Sequence, residues 1–318
     1  MELPGEPVLR ELIQRTATLW ARLSHEVGSR PMILPNATFF PDPYHHDEPS
    51  VNRLVQRLAE HAGMQDVPVE VCLIAPDAEE EAASCSSGGC GPAVVSGSFQ
   101  RVVDRGDGWQ LNVAEAELLH PVALTTELGR GLALIFLLET HEAGAPLEGP
   151  LELTTELTAV ALGMGPLLLQ GSYIYAKGCG GPRISQLTQL STFELAVITA
   201  LFCTLSGVPH KTVSRELSVT QKEAFAEAVA FISSNPELTL KLKRAPELLA
   251  MGDFTLNPTR SWLSRVLAPA KVTEEAFPLW LGEKSTAELP PARSPKSARH
   301  AELKALVSDA LSEGADHS

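Results

Sequence analysis

LLHPVALTTELGRGLALIFLLE (residues 118–139) and LELTTELTAVALGMG (residues 151–165) are two apolar, helix-favouring runs, each carrying a few isolated charges. Their periodicity predicts helices over about 121–139 and 151–175, too apolar all round to lie on a surface. Among the charges they carry are Glu127, Arg130, Glu152 and Glu156.

Upstream, residues 7–27 set Leu9, Leu12, Ile13, Thr16, Leu19, Trp20 and Leu23 on one helical stripe. A Pro-rich run over 31–43 follows. A second helix is predicted near Ser50, capped by it, with Val51, Leu54, Val55, Leu58 and Ala62 on one face and Gly63 as its stop. VPVEVCLIA (67–75) is β-branched and reads as a strand, 76–92 as a loop, and 93–113 as a hairpin turning at Arg105-Gly106-Asp107-Gly108. Helices are then expected over 191–206, 219–233 and 237–250. Strands followed by helices predict an α+β fold, a small sheet with a hairpin packed on a predominantly helical bundle.

The 318 residues are 44% hydrophobic and 20% charged, which excludes a disordered chain and favours a globular one. With 25 Lys and Arg against 39 Asp and Glu the net charge is −14, which argues against nucleic acid and anionic lipid as partners. MELPGEPVLRELIQR (1–15) lacks the basic and apolar regions of a secretory leader, and the apolar run 157–169 is too short for a membrane span, so a cytoplasmic location is expected. Five cysteines in such a chain argue against a disulfide framework. No internal repeat is evident.

The order of motifs resembles a family of uncharacterised bacterial zincin-like proteins, gluzincin-type metallopeptidase-like chains of the H-E-x-x-H class. That family carries A-H-E-L-A-H-V-L-L, then E-x-x-T-D-L-x-x-x-x-L-G-x-G, then a G-Y-L-S-x-x-E-L-A-Y-A-L-A helix. Here TTELGRGLALIFLL, ELTTELTAVALGMG and ISQLTQLSTFELAVITALFCTLSG (184–207) stand in the same order, with Phe39 to Tyr44 matching an F-F-P-D-x-Y segment. The likeness covers about 31–232. It places Thr126 and Arg130 where the family has its two histidines, Glu127 at the general base, Glu152 at the third metal ligand and Glu156 at the aspartate behind the ligands. Gly163 and Gly165 match the L-G-x-G, and Leu190, Ser191, Glu194, Leu195 and Ala196 match the later helix.

The resemblance implies a zincin-like α+β domain over 1–283, with a helix and sheet part (1–118) and a helical part (119–283). It also implies a disabled site. Neither a threonine hydroxyl nor an always-charged guanidinium serves as a neutral nitrogen ligand to zinc. Two facing acids left without a metal would repel by about 4 kcal/mol at 4 Å and an effective dielectric of about 20. Arg130, three residues after Glu127 and on the side toward Glu152, is the expected replacement cation, bridging one or both carboxylates. No cofactor is expected. The function this predicts is a catalytically inactive scaffold, a pseudoenzyme, acting as a protein-binding or regulatory module with a protein partner.

Other readings remain open on the sequence. Glu127 and Arg130 fit a solvated helix pair equally well, worth about 0.3–0.5 kcal/mol. An active hydrolase could use an atypical metal at Glu127 or Glu152, or thiol chemistry at Cys85, Cys90 and Cys179 in two Gly-rich loops, where the three thiolates with a histidine could also form a zinc or redox site, although inert surface thiols fit the spacing better. A structural subunit of a larger assembly is a third. Cys72 and Cys203 read as core residues, His45-His46-Asp47 as a solvated loop, and His120-Pro121 as helix-start packing. No G-x-S-x-G, phosphate loop or dinucleotide fingerprint occurs. KSTAELPPARSPKSAR (284–299) reads as an extended linker. The segment 300–318 follows as an amphipathic helix with Leu303, Leu306, Val307 and Leu311 on one side, either folded back or docked on a partner.

Overall fold

The computed structural model describes residues 3–27, 30–75, 101–140, 149–178 and 181–258. Helix α1 (Glu6–Val27) buries Leu9, Leu12, Ile13, Leu19 and Leu23, the stripe its spacing predicts, with Thr16 and Trp20 half-buried at its edge. Helix α2 (Glu48–Ala62) starts earlier than Ser50. Asp47 is its cap, accepting from the Ser50 amide at 2.9 Å, and Pro49 suits the first turn because its missing N–H is not needed there. Gly63, at φ 66°, closes the helix as expected.

Strands β1 (Val69–Ile74), β2 (Val102–Asp104) and β3 (Trp109–Ala114) form one mixed sheet in the order β1-β3-β2. β1 runs parallel to β3 with Val71 opposite Leu111, and β2 runs antiparallel to it with Val102 opposite Leu111. The predicted hairpin is therefore present over 102–114; its expected start at 93–100 and the loop 76–92 lie outside the described residues.

A 3-10 turn (Glu115–Leu119) hands the chain to α3 (Pro121–Thr140), whose apolar length and composition would also suit a membrane span. It is the one such helix among the described residues, and 78% of its most apolar window is buried in the protein, the behaviour of a core helix.

The expected helix 151–175 is not continuous. It breaks into α4 (Leu151–Ala159), a π-turn (Val160–Met164) and α5 (Gly165–Gly171), then leaves helical geometry for β4 (Ile174–Gly178), paired antiparallel with β5 (Gly181–Ser185). The cause is local. Gly163 takes φ 90°, and Pro166 cannot donate within a continuing helix.

Beyond it, α6 (Thr192–Ser206) has a complete capping box, Ser191 with Glu194, and is buried on nearly every side. α7 (His210–Arg215) and α8 (Val219–Ser234) follow. The expected helix 237–250 splits into α9 (Pro236–Arg244) and α10 (Pro246–Ala250) because Pro246 forces Ala245 out of the helical region, to φ −153°. One continuous apolar core joins Leu9 of α1 to Phe254 past α10, so the fold is α+β and mainly helical.

Cys203 lies in that core, and burial pushes its thiol up to about 12. Iodoacetamide at pH 8 is expected to leave Cys203 unmodified in the folded chain and to label it in denaturant. Peptide mapping checks this, and labelling in the folded state would contradict a tight core around α6.

Candidate functional site

Three charges of α3 and α4 are buried. Glu127 and Arg130 are each 3% exposed and Glu156 is 0% exposed, which removes the solvated-pair reading of these residues. Arg130 Nη1 lies 3.2 Å from Glu127 Oε1 and donates to the carbonyl of Leu187 at 2.8 Å. Its Nε lies 3.2 Å from Glu156 Oε1, a close ionic contact without hydrogen-bond alignment. One guanidinium thus stands between two carboxylates, one from each helix.

The partner across the gap is Glu156, not Glu152. Glu152 lies one turn earlier, is half-buried, and forms no ion pair among the described residues. The expected bridge to Glu152 is therefore corrected: α4 meets α3 at its second turn, so the residue four positions on faces the guanidinium.

Backbone and loop complete the enclosure. Glu156 accepts the amides of Gln189 at 2.7 Å and Leu190 at 2.9 Å, from the segment joining β5 to α6. Burial raises Glu156 above its ordinary 4.5, opposed by the Leu190 amide and by Arg130. Glu127 is raised for the same reason, opposed by Arg130 and Arg101.

A second buried pair, which sequence reasoning missed, abuts the first. Arg101, just before β2, makes two 2.7 Å bonds to the carboxylate of Glu117, and its Nε lies 3.7 Å from Glu127. No spacing rule links residues 101 and 117; the only signal was an arginine beside a strand and an acid beside a helix start. The result is a chain of ions, Glu117, Arg101, Glu127, Arg130, Glu156, crossing from sheet to bundle.

Thr126, the neighbour of Glu127 in α3, has no exposure. Its hydroxyl donates to the carbonyls of Val122 at 2.8 Å and Leu167 at 3.0 Å. The backbone of Gly171 packs directly on it, and a β-carbon there would overlap the threonine side chain. The space beside Thr126 is thus filled with protein atoms.

Other candidates fall elsewhere. His45 and His46 are exposed; His46 Nδ1 contacts the Leu118 carbonyl at 2.7 Å and its ring packs edge-on against Tyr44. His120 is exposed at the start of α3, where its carbonyl accepts the Leu124 amide. Cys72 is half-buried in β1. Cys85, Cys90 and Cys179, the linker 284–299, and Leu303, Leu306, Val307 and Leu311 lie outside the described residues. Among the described residues no three His, Cys, Asp or Glu side chains are grouped to hold a metal ion.

Chemically, the arrangement can hold three acids and two guanidiniums together out of water. Comparison with known proteins found no matching family model, no matching curated protein and no matching solved structure.

Proposed function

We propose that this chain is a catalytically inactive, metallopeptidase-like scaffold that works in the cytoplasm as a protein-binding or regulatory module. The observation that carries the reading is Arg130, 3% exposed, lodged between Glu127 and Glu156. In a zincin-like frame the second imidazole would stand at this position and an acid behind it would orient the ring. A guanidinium in contact with Glu156 takes over both relations, balancing by charge what a cation would balance.

A hydrolytic site needs a general base that reaches a water and a substrate. Glu127 is 3% exposed and lies between Arg101 and Arg130, which supports an inactive reading. What such a scaffold retains is surface, and its expected use is recognition of a protein partner, with the C-terminal segment 300–318 as one proposed contact through Leu303, Leu306, Val307 and Leu311.

Two measurements test this. The full chain purified without chelator should contain no stoichiometric zinc by elemental analysis; one zinc per chain would overturn the reading. Replacing Thr126→His together with Arg130→His should create one zinc site with a nearby acid, read by calorimetry. Because Gly171 crowds position 126, circular dichroism must show the double variant folded, and a folded variant that binds no zinc would remove the inherited frame.

A further inference from the structure

The ionic chain is not balanced. Among the described residues it sets three acids, Glu117, Glu127 and Glu156, against two guanidiniums, Arg101 and Arg130, and each of the five is at most 8% exposed. Arg101 also interacts outside this set, which leaves no more of its charge for the acids. With every group ionised, one negative charge would stand in the core without a counter-charge. That is unfavourable enough for a buried carboxylate to take up a proton instead.

The contacts select which acid does so. Glu117 receives both arms of Arg101 at 2.7 Å, the bidentate form in which a guanidinium answers a carboxylate best. Glu156 accepts two backbone amides, from Gln189 and Leu190, and such bonds favour the ionised form. Glu127 accepts no backbone amide. Its contacts are longer: Arg130 Nη1 at 3.2 and 3.5 Å, an atom it shares with the Leu187 carbonyl, and Arg101 Nε at 3.7 Å.

The charged groups around Glu127 come from four places: Arg101 before β2, Glu117 of the 3-10 turn, Arg130 of its own helix and Glu156 of α4. The other neighbours bring none. β3 meets α3 through Leu111 at Gly131, and α5 brings the Leu167 carbonyl. The arginines of α2 are engaged elsewhere, Arg53 by Ser50 and Arg57 by Asp42 and Glu60.

We infer that Glu127 is a proton-binding site, and that its proton makes the ionic chain a pH-sensitive latch on the 187–190 segment. With Glu127 neutral, two acids stand against two guanidiniums and the set is balanced. As pH rises the carboxyl gives its proton to water and the surplus charge appears in the core. Arg130 Nη1 is then drawn toward the carboxylate and away from the Leu187 carbonyl, which loosens the segment leading into α6. Nothing in this depends on a metallopeptidase-like frame, because the charge count carries it and Thr126 and Arg130 beside Glu127 are not metal-ligating groups.

The full chain, labelled with carbon-13 at its glutamate carboxyl carbons, tests the site by NMR titration. In wild type one resonance should titrate at distinctly higher pH than those of the exposed glutamates, and it should be missing from Glu127→Gln, which keeps the shape of the neutral form. Burial acts in the same direction, holding Glu127 above its ordinary 4.5. A carboxyl raised in the folded state contributes stability that is lost as pH rises through the folded value. Across that titration the unfolding equilibrium constant of wild type, relative to that of Glu127→Gln, should therefore grow by up to about tenfold per pH unit, the effect of one proton. The histidines titrate alike in both chains and drop out of the ratio. Over the same range the amides of Gln189 and Leu190 should lose protection from hydrogen exchange in wild type and keep it in the variant. Glutamate carboxyls that all titrate together in wild type overturn the inference, whatever Glu127→Gln does to folding. A raised titration that survives in Glu127→Gln, or a constant ratio of unfolding constants, overturns the assignment to Glu127, and unchanged protection at both amides overturns the latch.

Discussion

Replacing Arg130 with methionine is expected to lower the unfolding free energy by about 3–5 kcal/mol at pH 7.5, the cost of breaking a buried ion pair from one side. Methionine fills similar volume, so packing is largely kept and the charge is what goes. Glu127 and Glu156 would then face each other in the core with only Arg101 at 3.7 Å from the first. A surface pair would cost no more than about 0.5 kcal/mol, so the size of the loss separates the two environments.

The pH dependence sharpens the test. Burial already raises both carboxylates above 4.5, and Arg130 opposes that rise in each. Without it both folded values climb further. A carboxylate raised in the folded state binds protons more readily there than in the unfolded chain. The stability this contributes is complete below about 4.5 and is lost as pH rises through the folded value. The deficit of the variant should therefore be largest near pH 7.5 and shrink toward pH 5. Urea titrations of wild type and variant at both pH values read this directly, and a deficit that is small or independent of pH would mean the acids are already solvated. Adding Glu127→Gln to Arg130→Met should recover part of the loss, because the uncompensated charge is removed along with its partner.

That prediction rests on Glu156, and its position shows what the sequence could and could not convey. The helix content of 118–139 and 151–165 was legible from apolar periodicity, whereas the expectation of a cation near Glu127 came only from the family resemblance, which sets two acids face to face. Which acid on α4 answers Arg130 was not legible. Glu152 and Glu156 share one helical face, and only the crossing of α3 over α4 selects the second. The Arg101–Glu117 pair was invisible for a similar reason: its two members come from a strand edge and a 3-10 turn, brought together by the sheet's register on α3. The breaks at Gly163 and Pro246 were spelled in the sequence, as L-G-M-G-P and A-P, but apolar residues on both sides kept the helical pattern running through them. The β4–β5 hairpin was hidden in the same way, because Tyr173, Ile174 and Tyr175 extend an apolar run that periodicity alone reads as more helix.

The break at Gly163 is a second place where the fold tolerates change poorly. Gly163→Ala is expected to cost about 2–5 kcal/mol, with two sources that separate experimentally. At φ 90° and ψ 1° the backbone is in the left-handed half of conformational space, where a β-carbon adds about 1–2 kcal/mol. The added methyl would also overlap the carbonyl oxygen of Pro31, which belongs to the segment that Gly163 anchors by accepting the Ile33 amide at 2.8 Å. Overpacking of that kind typically costs a further 1–3 kcal/mol, about what a backbone atom that cannot rotate away should impose. Gly106 provides the control. It has φ 96° but nothing within 4 Å of where a β-carbon would stand, so Gly106→Ala should show the conformational cost alone. Equal losses in the two variants would mean the Pro31 contact is unimportant. A larger loss at Gly163 should come with a change at the ionic chain, because the π-turn sets α4, which carries Glu156, against α5, whose Leu167 carbonyl receives Thr126. Shifting that turn pulls on both ends of the Arg130 enclosure at once, so Gly163→Ala and Arg130→Met should be non-additive when combined, the double variant losing less than the two single losses together.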